Sequence, residues 1–236
     1  MMPFYMFYDP TYILVLIGVV LSLIASARVN STFNKYSQIR NSRGMTGAQV
    51  AEQVLHGAGI YDVRIEHVSG NLTDHYDPRS KVLRLSDSVY SQTSVAAVGV
   101  AAHECGHAIQ HAKGYGPLKF RNVLVPVANF GAKIAWPLIL VGLLINSESA
   151  WLIMQAGIIA FSLAVLFQIV TLPVEFNASN RAIRVIADSG IMYGEEIVAA
   201  KRVLSAAALT YVAAAASSIL QLLRLVLLAG GRRRND

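Results

Sequence analysis

Residues His103-Glu104-Cys105-Gly106-His107 decide how the rest of this chain is read. They lie between Ser94-Val95-Ala96-Ala97-Val98-Gly99-Val100-Ala101-Ala102 and Ala108-Ile109-Gln110-His111. The whole stretch is small, apolar and compatible with one helix. Residues four apart on a helix point from the same face, so His103 and His107 can grip a single metal ion. Glu104 can then reach a water on that ion and act as its general base. The bland alternative is a helix with two hydrogen-bonded histidines and a surface glutamate. Against it, a carboxylate in so apolar a helix is costly to bury without a use.

A catalytic zinc takes three protein ligands and leaves a fourth position open. His111 shares the face of His103 but lies roughly 12 Å along the helix axis, too far to meet the same ion. A third histidine ten residues after the first would fall at position 113, which is Lys113. The expected third ligand is therefore a carboxylate from another helix. Glu175, in Pro173-Val174-Glu175-Phe176-Asn177-Ala178-Ser179, is the best candidate, because it stands where a long apolar run turns polar. Asp188, Glu195 and Glu196 compete, but they sit in segments that read as a turn and a helix start.

Apolar residues make up 54% of the 236 positions and charged residues only 14%, below the quarter usual in soluble domains. The apolar residues are clustered, which predicts a mainly α integral membrane protein with three to four membrane helices and a small β element. Tyr12 to Ala27 is the first run, preceded by aromatics and read as an uncleaved anchor. Val123 to Ile145 and Ala150 to Val174 form a helical hairpin around Asn146-Ser147-Glu148-Ser149. Val203 to Ala229, interrupted by Arg224, either spans or lies at the surface.

The expected organisation is an anchor over 1–28, a cytoplasmic segment with the sheet and metal helix over 29–122, and the hairpin over 123–174. A cytoplasmic third-ligand segment follows over 175–202, then an apolar helix with a basic tail over 203–236. Basic residues set the sidedness. Arg28, Lys35, Arg40 and Arg43 follow the first run, Lys113, Lys119 and Arg121 precede the second, and Arg181, Arg184, Lys201 and Arg202 follow the third. These put His103, His107 and Glu175 together on the cytoplasmic side of the cell membrane. Spanning by the last run would put Arg232-Arg233-Arg234 outside, against the same rule.

The net charge of +6 is explained by these flanks. No interleaving of aromatic and basic residues points to nucleic acid. The single cysteine, Cys105, excludes an internal disulfide and reads as a small helix filler.

Between the first run and the metal helix, Thr46 is a candidate N-cap with Gln49 three residues later, and Gly57 and Gly59 end that helix. Val63 to Val68 and Lys81 to Ser86 alternate as strands, while Thr73 to Pro78 leads to a turn. The strand at Lys81 to Ser86 is the candidate exposed edge for pairing with an extended peptide. His56, His67 and His75 read as surface or structural histidines.

The pairing of His-Glu-Cys-Gly-His with a later Glu-Phe-Asn-Ala-Ser, across two apolar segments, resembles the YugP-like family of bacterial membrane neutral zinc metallopeptidases, of gluzincin type. The resemblance covers most of the chain. More distantly it is similar to the HtpX and CAAX-protease group, where the third ligand opens a Glu-x-x-x-Asp motif. Ser179 stands here in place of that aspartate, which in the group orients a ligand histidine. The resemblance implies one Zn2+ per chain on His103, His107 and Glu175, with Glu104 as the base. It also implies a protein or peptide substrate at the lipid bilayer, in membrane-protein quality control. An oxyanion donor is expected, with Tyr211 first and Arg181 second. The rival reading is a non-catalytic scaffold or adaptor with a structural or degenerate metal site.

Overall fold

The computed structural model of the chain describes residues 9–145 and 149–233. Its elements are α1 (Tyr12–Ser37), α2 (Gly47–Gly57), β1 (Arg64–Val68), β2 (His75–Asp77), β3 (Val82–Ser86), α3 (Val95–Ala112), α4 (Gly116–Leu144), α5 (Ser149–Asp188) and α6 (Glu195–Arg233). The connection expected at Asn146 to Glu148 lies outside the described residues. The four long helices are each long and apolar enough to cross a membrane. Two compact units are present, one over Met1–Ile24, Phe120–Thr171 and Tyr211–Asp236, the other over Ala25–Lys119 and Leu172–Thr210.

The first unit, as far as it is described, is built of apolar helices whose outward faces are apolar too: Leu16 is 57% exposed and Leu152 62%. Such surface belongs to lipid rather than water. In the absence of a hydrophobic drive between helices in lipid, close packing comes from small residues. A Cβ on Gly131 would lie 2.6 Å from Ala160 O, and one on Gly157 would lie 3.0 Å from Ala135 O, so α4 and α5 approach backbone to backbone. The first and last helices run antiparallel. Ser217 Oγ donates to Gly18 O at 2.9 Å, and Arg224 Nη2 donates to Asp9 Oδ2 at 3.2 Å. The Arg224 guanidinium also lies 4.0 Å from the centre of the Tyr12 ring. The charge that interrupts the last apolar run is thus neutralised at the start of the first, and α6 continues through it.

The second unit holds the sheet and the metal helix. β3 pairs parallel with β1, Arg64 opposite Val82, and antiparallel with β2, Tyr76 opposite Leu83. The strand order is therefore β1-β3-β2. This corrects the expectation of an edge strand at Lys81 to Ser86: β3 is central, with both flanks already hydrogen-bonded. Val82, Leu83 and Leu85 are fully buried in it, each of the two leucines contributing about 1.5–3 kcal/mol of apolar burial. β1 forms one edge, and β2, expected as a turn approach, forms the other.

α2 begins with the capping box read from the sequence, Thr46 Oγ1 accepting from Gln49 N at 3.3 Å and Gln49 Oε1 from Thr46 N at 2.9 Å. α3 is capped by Ser94, whose Oγ accepts from Ala97 N at 3.1 Å. Its small residues let neighbours come close. A Cβ on Gly99 would sit 3.5 Å from Ala200 Cβ, and one on Gly106 only 2.6 Å from Ala178 O. The second contact brings α5 against the turn of α3 that carries the histidines.

Candidate metal centre

His103 and His107 project from one face of α3, their ring centres 4.8 Å apart and the planes nearly perpendicular. Glu175 meets them from α5, which runs unbroken through positions 174 and 175 as a 40-residue helix. Glu175 Oε2 lies 3.3 Å from His103 Nε2 and 3.4 Å from His107 Nε2. Zinc bonds of about 2.0–2.2 Å at tetrahedral angles require ligand atoms roughly 3.3–3.5 Å apart, so this donor set fits a zinc ion. Among the described residues, the one group of metal-ligating side chains is His103, His107 and Glu175, with ligand atoms all within 4.8 Å of one another.

Each ring is held from behind. Ser179, one turn beyond Glu175 on α5, places its Oγ 3.1 Å from His103 Nδ1. His107 Nδ1 lies 3.1 Å from Gln110 Oε1. The orientation of that amide follows from its other contacts: Gln110 Nε2 donates to Val174 O at 2.8 Å and to Asn177 Oδ1 at 3.0 Å. Its oxygen must therefore face His107 and accept from Nδ1–H, which leaves the Nε2 lone pair for a metal. Arg181 Nε donates to Asn177 Oδ1 at 2.7 Å and extends the chain of contacts. Arg181, the second oxyanion candidate, is thus engaged with Asn177, and its guanidinium lies 5.7 Å from the Tyr115 ring centre.

Glu104 follows His103 on α3 and is 8% exposed. Burial pushes its carboxyl up to about 7; the charges of Glu175 and Asp74 act in the same direction, and His103 opposes them. A dication beside it would pull that value back down. Cys105 turns the other way, Sγ toward Ala51 O at 3.6 Å, and burial raises its thiol far above the usual range. It is the expected filler.

The remaining histidines are occupied elsewhere. His111 Nδ1 contacts Tyr76 Oη at 2.9 Å, His67 Nε2 contacts Asp87 at 2.6 Å, His75 Nδ1 contacts Thr73 O at 2.8 Å, and His56 stacks near Tyr61. Tyr211 falls in the other compact unit, at the first residue of its Tyr211–Asp236 segment. Gln110 and Asn177 went unrecognised in the sequence, although Gln110 was visible as a long polar residue in an apolar helix, three positions after a ligand.

Two helical imidazoles closed by a glutamate from a second helix, on a chain of long apolar helices, define a membrane zinc metallopeptidase. Comparison with known families agrees: residues 11–230 match the family described as "Putative neutral zinc metallopeptidase", and the chain belongs to it. It is 48% identical over 187 residues to "Putative membrane protease YugP" of Bacillus subtilis (strain 168), covering 79% of this chain and 82% of that protein. No solved structure matches the chain.

Proposed function

We propose that this metallopeptidase is an endopeptidase with one zinc site per chain, facing the cytoplasm. The single observation that carries the reading is the convergence of His103 Nε2, His107 Nε2 and Glu175 Oε2 at 3.3 and 3.4 Å, beside a buried Glu104. Zinc bound there would act as a Lewis acid on the scissile carbonyl and acidify the attacking water. Glu104 takes the proton from that water on its carboxylate and delivers it to the leaving nitrogen. Ser179 and Gln110 hold the two imidazoles in the ligating tautomer.

The cytoplasmic orientation is supported by the basic residues flanking the apolar runs, and quality control of membrane proteins by the likeness to HtpX-type enzymes. A structural metal site would be closed by a fourth protein ligand. The three-membered ligand group among the described residues favours an open site and hence catalysis over a scaffold.

The decisive experiment pairs zinc analysis with cleavage of casein by the purified full chain. Glu104→Gln should keep its zinc and lose activity by about 10²–10⁴-fold. Glu175→Ala should lose both. Parent-rate cleavage by Glu104→Gln defeats the base assignment, and full zinc in Glu175→Ala defeats the ligand assignment.

A further inference from the structure

Between the C-terminal half of α1 and the first turns of α6 lies a groove of about 650 Å³. Two helix stripes form it. Arg28, Ser31, Thr32, Lys35 and Tyr36 recur at three- and four-residue spacing on α1, and Val198, Lys201, Arg202, Ser205, Ala206 and Leu209 do so on α6. Four of these lining residues are cations and four carry hydroxyls; none is an acid. Arg202 Nη1 donates to Tyr36 Oη at 3.0 Å and ties the two walls together. Glu196, on the same helix as Arg202, is turned to Ser42, with its Oε1 2.6 Å from Ser42 N and its Oε2 3.0 Å from Ser42 Oγ.

Cations and hydroxyls without a carboxylate are the chemistry of a phosphate site. The position of the groove selects the source of that phosphate. The apolar run of α1 ends at Ala27, and Arg28 opens the groove, so the groove begins where the helix leaves hydrocarbon. Leu209 and Ala206 give the α6 wall an apolar share toward the Arg28 end of the groove, as a glycerol backbone and the first acyl carbons would need. A second cavity, of about 400 Å³, shares Lys201, Ser205 and Leu209 with it and adds Arg184, another cation, beside Phe176 and Ser179.

We propose that this groove binds the phosphate headgroup of an anionic phospholipid. The site is separate from the ligands of the metal and does not depend on the reading of Glu104. It goes beyond the general attraction of basic flanks to acidic membranes, because it requires a particular pocket and particular hydroxyls.

The test uses the full chain in nanodiscs of phosphatidylcholine with a minor fraction of phosphatidylglycerol. Co-purifying lipid is counted by native mass spectrometry. The parent should retain phosphatidylglycerol preferentially. Lys35→Gln/Lys201→Gln/Arg202→Gln should retain about a hundredfold less, given the contribution of each of the three cations near a lipid surface. Lys113→Gln/Lys119→Gln/Arg121→Gln, which removes equal charge elsewhere, should retain as much as the parent. Ser205→Leu intrudes on the groove and keeps every cation; it should also lose the lipid, which separates the shape of the pocket from its charge. Glycerol phosphate added in solution should not displace the lipid. Equal loss in both triple variants, parent-like retention in Ser205→Leu, or displacement by glycerol phosphate would each overturn the proposal.

Discussion

Ser179 Oγ stands 3.1 Å from His103 Nδ1, while Glu175, one helical turn earlier on α5, stands 3.3 Å from Nε2 of the same ring. One helix thus addresses both nitrogens of a single imidazole. Second contacts of this kind typically govern metal affinity by 10–100-fold. Ser179→Ala is expected to weaken zinc binding by about tenfold, measured by competition with a chromophoric chelator. Ser179→Asp should bind at least as tightly as the parent, because a carboxylate makes the imidazole a better donor. Unchanged affinity in Ser179→Ala would show that the packing of α3 alone orients the ring.

Gln110 does for His107 what Ser179 does for His103, but it also spans two helices. Gln110→Leu strands a ring N–H and removes donors from Val174 O and Asn177 Oδ1. A cost of about 1–3 kcal/mol is expected. It should appear as a lower melting temperature of both the zinc-loaded and the chelated protein. Gln110→Glu should be no better, since its second oxygen would face those two acceptors.

Glu104 makes the metal-free protein sensitive to pH. Its folded carboxyl titrates near 7 against an ordinary 4.5, because burial penalises the charged form. Between these values the folded state holds more protons than the unfolded one, so stability falls as pH rises through that window and stays low above it. The full effect is roughly 3 kcal/mol. Chelated Glu104→Gln should therefore melt above chelated parent at pH 8 and match it near pH 4. Zinc should narrow the difference at pH 8. Equal melting temperatures of the two chelated proteins at both pH values would contradict the shift.

Close approach at Gly106 is a geometric requirement that can be separated from general helix packing. Gly106→Ala would place its Cβ 2.6 Å from Ala178 O, whereas Gly99→Ala meets only Ala200 Cβ at 3.5 Å. Overpacking against backbone typically costs about 1–3 kcal/mol. Gly106→Ala is expected to push α5 outward and lose most of its zinc, while Gly99→Ala keeps full zinc and parent stability. Zinc content and thermal melting of the two variants decide between them.

The residues that the chain's order reveals are those whose partners are local. His103, Glu104 and His107 share five positions of one helix, and the caps at Thr46 and Ser94 are local as well. Glu175 was legible because few acids follow the hairpin and the others read as turn or helix-start residues. Gln110 was not, since its acceptors lie 64 and 67 positions away on another helix. Arg224 read as an interruption for the same reason, its partner Asp9 being 215 positions distant. The sheet order failed on a non-local pairing too. Alternation marks a strand but cannot say who flanks it, and β2, with three residues, is too short to show a period. The consecutive burial of Val82 and Leu83 is what a central strand looks like, and it is seen only after folding.

The continuity of α5 has a consequence for when the enzyme becomes dangerous to its maker. The imidazoles emerge from the ribosome well before the acid that completes their grip, and that acid is borne on the same rod as the returning limb of the hairpin. A nascent or truncated chain is thus an incomplete chelator, and proteolytic competence arrives with the apolar limb that precedes it. The donor set is thus completed only after the apolar limb of α5 has been made.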